Sequence, residues 1–283
     1  MLVSELLSDA SSKLSSAGVT SATVDAELLA CFCLNISRSD LQLMVATNQS
    51  FPFESLAGFE LALARRVARE PLQHITGTAP FRHLELAVGP GVFTPRPETE
   101  QVVDFALEKI SAIANPLIVD LCSGSGAIAI SLATEISGSK VFAVELSEDA
   151  YRYLVKNSAS YGLAEANLRN QDLQFSLAEL DGEVDLVISN PPYIPNDAIP
   201  IDLEVQLHEP SMSLYGGVDG LDVVRQISNR AMKLLKPGGL LVMEHADTQS
   251  NAIGKLLLIE GWLAIEARAD LAGKERMISA VKP

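Results

Sequence analysis

The run Val187-Ile188-Ser189-Asn190-Pro191-Pro192-Tyr193 constrains this chain more than any other stretch. Its apolar half reads as a buried strand, and two successive prolines cannot continue a hydrogen-bonded ladder, so Asn190 falls at the strand's carboxyl end. In an open α/β sheet that edge is where ligands bind. Each proline holds φ near about −65° and lacks an N–H, which stiffens the backbone that presents the Asn190 and Pro191 carbonyls.

That turn suits one kind of chemistry. Asn190 adds a side-chain carbonyl, so two neighbouring acceptors can grip both hydrogens of a planar NH₂ while Tyr193 covers its flat face. An amide or aryl amine is a weak nucleophile because its lone pair is delocalised. Bonding both hydrogens to acceptors returns electron density to the nitrogen and aims it at an electrophile. A proline-rich turn with no chemical role has the same local spelling.

A second signal lies upstream. Leu117–Leu121 is an apolar strand, Cys122-Ser123-Gly124-Ser125-Gly126 a small-residue loop, and residues 127–136 an apolar helix, the order of a nucleotide-binding unit. Val141–Val144 forms the next strand and ends at Glu145, about 20 residues past the glycines, where a carboxylate can accept both hydroxyl protons of a ribose. Gly124-x-Gly126-x-x-Ala129 with Glu145 also satisfies a dinucleotide fingerprint, so an oxidoreductase stays open on this loop alone. The α/β alternation then continues: a helix over 148–161 capped by Ser147, a short strand over 167–171 ending near Asp172, and strand 184–189. After them come helix 218–235, strand 240–244, helix 252–260 and strands 262–267 and 277–281. Glu244 and His245 read as core or cleft-rim packing, and four scattered histidines give no metal site.

Residues 1–70 show helical periodicity throughout, as a small bundle. Arg65, Arg66 and Arg69 near the end of its last helix complement the helix dipole, and a docking patch is the other reading. Leu72–Gly77 and Leu84–Val88 alternate like paired strands, a hairpin linking two domains. The loop from Gly89 to Glu100 places three prolines around Arg96 before a new helix starts at Pro97. A wall of the cleft and a rigid linker are the two readings of this loop.

The 283 residues, 48% of them hydrophobic, allow one large or two modest domains with real cores. A net charge of −15 and a pI near 4.7 disfavour a protein that grips nucleic acid through phosphates. Three cysteines, Cys31, Cys33 and Cys122, fit reduced thiols in a cytosol. The amino terminus lacks a signal-peptide pattern, and no apolar run reaches the roughly 18 residues of a membrane span, so the expected location is cytoplasmic.

Together these motifs resemble an S-adenosylmethionine-dependent methyltransferase acting on a planar nitrogen. Arg69-Glu70-Pro71-Leu72 with Ile75-Thr76-Gly77, Phe93 to Glu100, Glu209-Pro210, Gly220 and Leu271 to Arg276 narrow the resemblance to the peptide chain release factor glutamine methyltransferases, the PrmC/HemK family. It covers nearly the whole chain and is weakest over the first 60 residues.

The resemblance implies a class I, Rossmann-like seven-stranded sheet with its last strand antiparallel. It implies a helical substrate-recognition domain over 1–70, a hairpin and linker over 71–96 and a catalytic domain over 97–283. The cofactor is then S-adenosylmethionine, contacted by Asp120, Cys122, Ser123, Gly124, Ser125, Gly126, Glu145, Asp172, Leu173 and Asn190. Asn190, Pro191 and Tyr193 are the catalytic set. Pro192, Phe93 and Arg96 join them around the substrate, the glutamine of a release factor's Gly-Gly-Gln loop. Where the family commonly has glycine this chain has Cys122, where it commonly has aspartate this chain has Glu145, and Leu173 replaces a frequent aromatic. A monomer is expected, and the net charge of −15 argues against direct nucleic-acid binding. A methyltransferase for nucleic-acid amines, a nicotinamide oxidoreductase and a catalytically silent cofactor-binding module are the other readings of the same motifs.

Overall fold

A computed structural model describes residues 1–283, and the chain divides into two compact units. The smaller comprises Met1–Thr78 together with Pro200–His208, and the larger comprises Ala79–Ile199 and Glu209–Pro283.

The smaller unit holds α1 (Val3–Ser16), α2 (Ala22–Leu34), α3 (Arg38–Ala46), α4 (Phe53–Val67) and α5 (Leu72–Thr76). Apolar positions at helical spacing, among them Leu6, Ala10, Leu14, Leu29 and Phe59, meet in one buried cluster. Leu72–Thr76 is helical, where the alternation of apolar residues suggested a strand. Five residues are too few for a period of two to be told from one of 3.6; Pro71 opens the turn and Gly77, at φ 79°, closes it.

Arg65 and Arg66 lie in the last turn of α4, where they complement the helix dipole as expected, and all three arginines are paired with carboxylates. Arg66, 6% exposed, donates to Asp25 at 2.7 Å and to Glu204 at 3.0 Å, while Arg69 makes a two-pronged contact with Glu204 at 2.9 and 2.5 Å. Glu204 lies in α9 (Leu203–His208), within the stretch that leaves the larger unit after Ile199 and returns at Glu209. Arg65 pairs with Glu70 instead.

The hairpin is β1 (Thr78–Phe81) with β2 (Leu84–Ala87); it begins at the last residue of the smaller unit's first stretch, six residues later than the alternation indicated, and all but Thr78 belongs to the larger unit. Next come α6 (Pro97–Ile110), β3 (Leu117–Leu121), α7 (Ala127–Glu135), β4 (Lys140–Glu145), α8 (Glu148–Tyr161), β5 (Leu168–Asn170) and β6 (Val184–Ser189). The chain finishes with α10 (Ser211–Leu214), α11 (Asp222–Leu234), β7 (Leu235–Glu244), α12 (Ser250–Ile259), β8 (Leu263–Ala269) and β9 (Glu275–Val281).

Seven strands form one sheet in the order β5-β4-β3-β6-β7-β9-β8. The first five run parallel, and β9 lies antiparallel between β7 and β8. All six residues of β6 are buried, as expected for a strand covered on both faces. One apolar layer gathers α6, α7 and α8, including Val102, Phe105, Ile130 and Leu154; the other gathers α11 and α12 around Trp262. From β3 the chain moves outward through β4 and β5 and then returns to β6 on the far side of β3. The carboxyl ends of β3 and β6 therefore flank a topological switch point.

Burial alone would raise the Glu204 carboxyl, but the hydrogen bonds from Arg69 and Arg66 outweigh it and hold the pKa at about 2. A depressed folded pKa stabilises above the unfolded value, near 4.3, and that stability is lost as pH falls through the folded value. Glu204→Gln should therefore cost about 2–3 kcal/mol at neutral pH, read by urea unfolding. The gap from the unmodified protein should close between about pH 4 and pH 2.

Candidate active site

The loop after β3 turns sharply enough to need three residues in the left-handed region: Cys122 at φ 62°, Gly124 at 55° and Gly126 at 88°. A Cβ on Gly124 would meet nothing within 4 Å, so its backbone faces open space that a ligand can fill. Ser123 ties the loop to β4: its N–H donates to Val144 O at 3.0 Å, and its hydroxyl accepts from Val144 N at 3.1 Å. Asn157 on α8, buried and unremarked by any sequence pattern, donates to Ser125 O at 2.9 Å and also bonds Ala87 of β2 through both its amide groups.

Two carboxyls stand at the ends of β3 and β4. Asp120 has no exposed surface; burial pushes its pKa up to about 8, and one of its oxygens accepts from Ala129 N while the other has no partner. Glu145 accepts from Gly124 N and Ser147 N, both at 2.8 Å. Burial raises its pKa and those backbone N–H groups oppose the rise. Asp172 accepts from Gln174 N at 2.9 Å and caps a short turn. Leu173 is buried in the same cluster as Phe142, Val144 and Leu177, whereas Phe175 is exposed.

Asn190 follows β6 directly. The Ser189 hydroxyl donates to Leu121 O at 2.5 Å, fastening the end of β6 to β3. Asn190 Nδ2 donates to Thr99 Oγ1 at 3.0 Å, and the Thr99 hydroxyl donates to Glu244 Oε2 at 2.7 Å. The Tyr193 hydroxyl reaches the other Glu244 oxygen at 3.4 Å.

The prolines are set in a rigid seat. Gln249 Nε2 donates to Tyr193 O at 2.9 Å, and Ile194 pairs with Tyr215 in an isolated parallel bridge. Gly216 fits because a Cβ there would stand 2.6 Å from Pro192 O. At Gly220, φ 74°, a Cβ would come closer still, 2.3 Å from Tyr193 O.

Phe93 and Arg96 are held together. The Arg96 guanidinium lies 5.1 Å from the Phe93 ring centroid and 3.2 Å from Glu209. Buried Glu209 also accepts from Thr94 N, so one carboxylate shapes the whole wall.

Sequence reading named Thr99 and Glu209 only within longer motifs, missed Asn157 and Gln249, and assigned Glu244 to core or cleft-rim packing. Glu244 is buried at the end of β7, with its pKa raised by burial to about 7, and its bond to Thr99 ties it to Asn190. An acid closing an apolar strand was the available signal. Its partner Thr99 lay within the cleft-wall motif, read only as a helix start.

The site accommodates S-adenosylmethionine: a glycine loop with room in front of it, a carboxylate one strand over, and an acceptor-rich turn beside both. Fold and site together define a class I S-adenosylmethionine-dependent methyltransferase. The same fold occurs in the 16S rRNA N2 methyltransferase RsmC of T. thermophilus, solved with AdoMet and guanosine (TM-score 0.53, 21% identity, covering 73% of this chain and 50% of that one).

Family models of the PrmC N-terminal domain and of conserved hypothetical protein 95 match residues 5–77 and 73–213. A release factor glutamine methyltransferase of Streptomyces coelicolor is 44% identical, covering 100% of this chain and 98% of its own. One of Bifidobacterium longum is 41% identical, covering 99% and 100%. The chain belongs to the release factor glutamine methyltransferase family. No single helix is long and apolar enough to cross a membrane.

Asp120 generates a stability prediction. A carboxyl whose folded pKa exceeds its unfolded value, about 3.9, contributes fully below that value and loses its contribution as pH rises through about 8. Asp120→Asn stays neutral, so its Tm should gain on the unmodified protein between about pH 4 and pH 8 and hold that gain above.

Proposed function

We propose that this chain methylates the side-chain amide nitrogen of the glutamine in the Gly-Gly-Gln loop of peptide chain release factors. The observation that carries the reading is the state of Asn190. Its NH₂ is committed to Thr99, and its Oδ1 accepts nothing from the protein, beside a Pro191 carbonyl fixed by two prolines. Two acceptors with no donor of their own to offer select an NH₂ group.

Residues 122–126 would hold the methionine end of S-adenosylmethionine, Glu145 its ribose, and Asp172 with Leu173 its adenine edge; Asp120 supports the loop from beneath. When bound, this cofactor supplies an electrophilic methyl on a sulfonium. Asn190 Oδ1 and Pro191 O each take one hydrogen of the substrate amide, which localises the nitrogen lone pair and fixes its direction. Tyr193 covers the flat face and keeps water out. Its phenol stays protonated, since burial and the neighbouring Glu244 both raise its pKa. No strong base is needed before transfer, because the proton becomes acidic only once nitrogen has four bonds.

Pro192, Phe93 and Arg96 complete the wall that the glutamine passes. The division into a helical recognition part over 1–70, a linker over 71–96 and a catalytic part over 97–283 belongs to the same reading, with the helical part contacting the release factor. A net charge of −15 supports a protein substrate over a nucleic-acid amine.

Mass spectrometry of a release factor before and after incubation should show one added methyl on the loop glutamine. An unmodified glutamine alongside labelled RNA would overturn the reading. Asn190→Ala should lower kcat by about 10²–10³ with cofactor affinity little changed, since the lost acceptor acts mainly in the transition state. Glu145→Ala should do the converse and weaken cofactor binding first, read by calorimetry.

A further inference from the structure

An asparagine carboxamide can be turned over at almost no cost in shape, exchanging its oxygen for its NH₂. Turned one way, Asn190 offers an acceptor to a substrate NH₂; turned the other, it presents two donors to two donors. Something must choose between them.

Thr99 and Glu244, each 3% exposed, sit where water cannot substitute for either. An ionised carboxylate only accepts, so the Thr99 hydroxyl must spend its single hydrogen on Glu244, at 2.7 Å. The hydroxyl oxygen then has only lone pairs left for Asn190, at 3.0 Å, and only the NH₂ can answer them. Three elements meet in this chain of bonds: the start of α6, the end of β7 and the end of β6.

We infer that Thr99 and Glu244 are positioning residues that fix the hydrogen-bond polarity of Asn190, holding its oxygen toward the substrate nitrogen. The inference rests on the reading of Asn190 as the acceptor for a substrate amide. Neither residue touches that substrate; both act through Asn190.

The device has a built-in sensitivity. A protonated Glu244 can donate to Thr99, whose hydroxyl is then free to donate onward to the Asn190 oxygen, and the carboxamide turns over. The charged and titratable groups around Glu244 are Glu98 on α6, which raises its pKa, Arg276 on β9, which lowers it, and the Tyr193 hydroxyl, which donates to it. Burial, the largest influence, brings the balance to about 7. Activity should therefore rise with pH through that value.

The test compares the unmodified protein with Thr99→Val, Thr99→Ser and Glu244→Gln. It measures methylation of a release factor, affinity for the cofactor, and the side-chain amide resonances of Asn190 in the nitrogen-15-labelled protein between about pH 5.5 and 8.5. Thr99→Val keeps the shape and loses the hydroxyl, so kcat should fall roughly tenfold to a hundredfold, the worth of one hydrogen bond to a charged chain, with cofactor affinity unchanged. Thr99→Ser restores the hydroxyl and should recover kcat to within about threefold. In the unmodified protein both kcat and the Asn190 resonances should titrate near pH 7, and in Glu244→Gln neither should.

Equal losses in Thr99→Val and Thr99→Ser would mean a packing role only and overturn the inference, as would a Thr99→Val protein of normal kcat. Asn190 amide resonances left unmoved by Thr99→Val would overturn it too. If the unmodified protein leaves the release factor untouched, the substrate assignment fails by itself, and the Asn190 resonances of Thr99→Val against those of Thr99→Ser decide the relay.

Discussion

Carboxyl groups buried at the ends of parallel strands have to be satisfied inside the protein, and the organisation of this molecule follows from how that is done. Glu145 and Glu244 close β4 and β7, and Asp120 is the last residue but one of β3, all with little or no access to water. An uncompensated charge in such a place is costly, so each carboxyl recruits donors or gives up its charge. Glu145 recruits the backbone N–H groups of Gly124 and Ser147 and so defines the glycine loop. Glu244 recruits Thr99 and with it the first turn of α6. Asp120, with one oxygen unpaired, is kept mainly in its neutral form. The edge of the sheet is thus shaped by acceptors reaching for donors, and Asn190, whose NH₂ bonds Thr99, keeps its own oxygen free beside the Pro191 carbonyl.

Burial has a second consequence for the same groups. Each of the three pKa values is raised by burial, and those of Asp120 and Glu244 reach about 8 and about 7, so these two are poised between neutral and ionised forms near physiological pH. A cation entering the site favours the ionised forms. A positively charged ligand therefore binds here with better electrostatic complementarity than the unliganded site itself displays, which suits a sulfonium donor and a neutral product cofactor that must leave.

The parts of this arrangement that were legible in the sequence are those whose cause is local. Continuous apolar runs announced β3 and β6, and paired prolines after Asn190 marked where β6 must stop. Glycines at Gly124 and Gly126 marked a turn that few other residues can make, and Glu145 followed at the expected distance. What escaped was long-range pairing of single side chains. Thr99 and Glu244 are 145 positions apart, Thr94 and Glu209 are 115, and Arg69 and Glu204 are 135. A polar residue in one segment carries no mark of which distant partner the fold will bring to it. The helix at Leu72–Thr76 escaped for a different reason. Its one turn is fixed by Pro71, Gly77 and packing against α2 and α4, and its own apolar spacing is compatible with either secondary structure.

Cys122 brings these arguments to one residue. A left-handed φ at a residue with a Cβ costs about 1 kcal/mol relative to glycine, yet the side chain recovers something by packing against the cluster around Val119 and Leu121. Its chemistry raises a sharper question, since a thiolate is a far better nucleophile than an amide and would sit in the loop assigned to a methyl donor. Burial removes the difficulty. Desolvation, reinforced by Glu145, drives the Cys122 pKa well above that of an exposed thiol, so the sulfur stays protonated at neutral pH. A protonated thiol is a poor nucleophile. The carboxylate that shapes the loop therefore also helps keep this half-buried thiol inert, and a cysteine that would be reactive in an open electropositive site is tolerated in this acidic one.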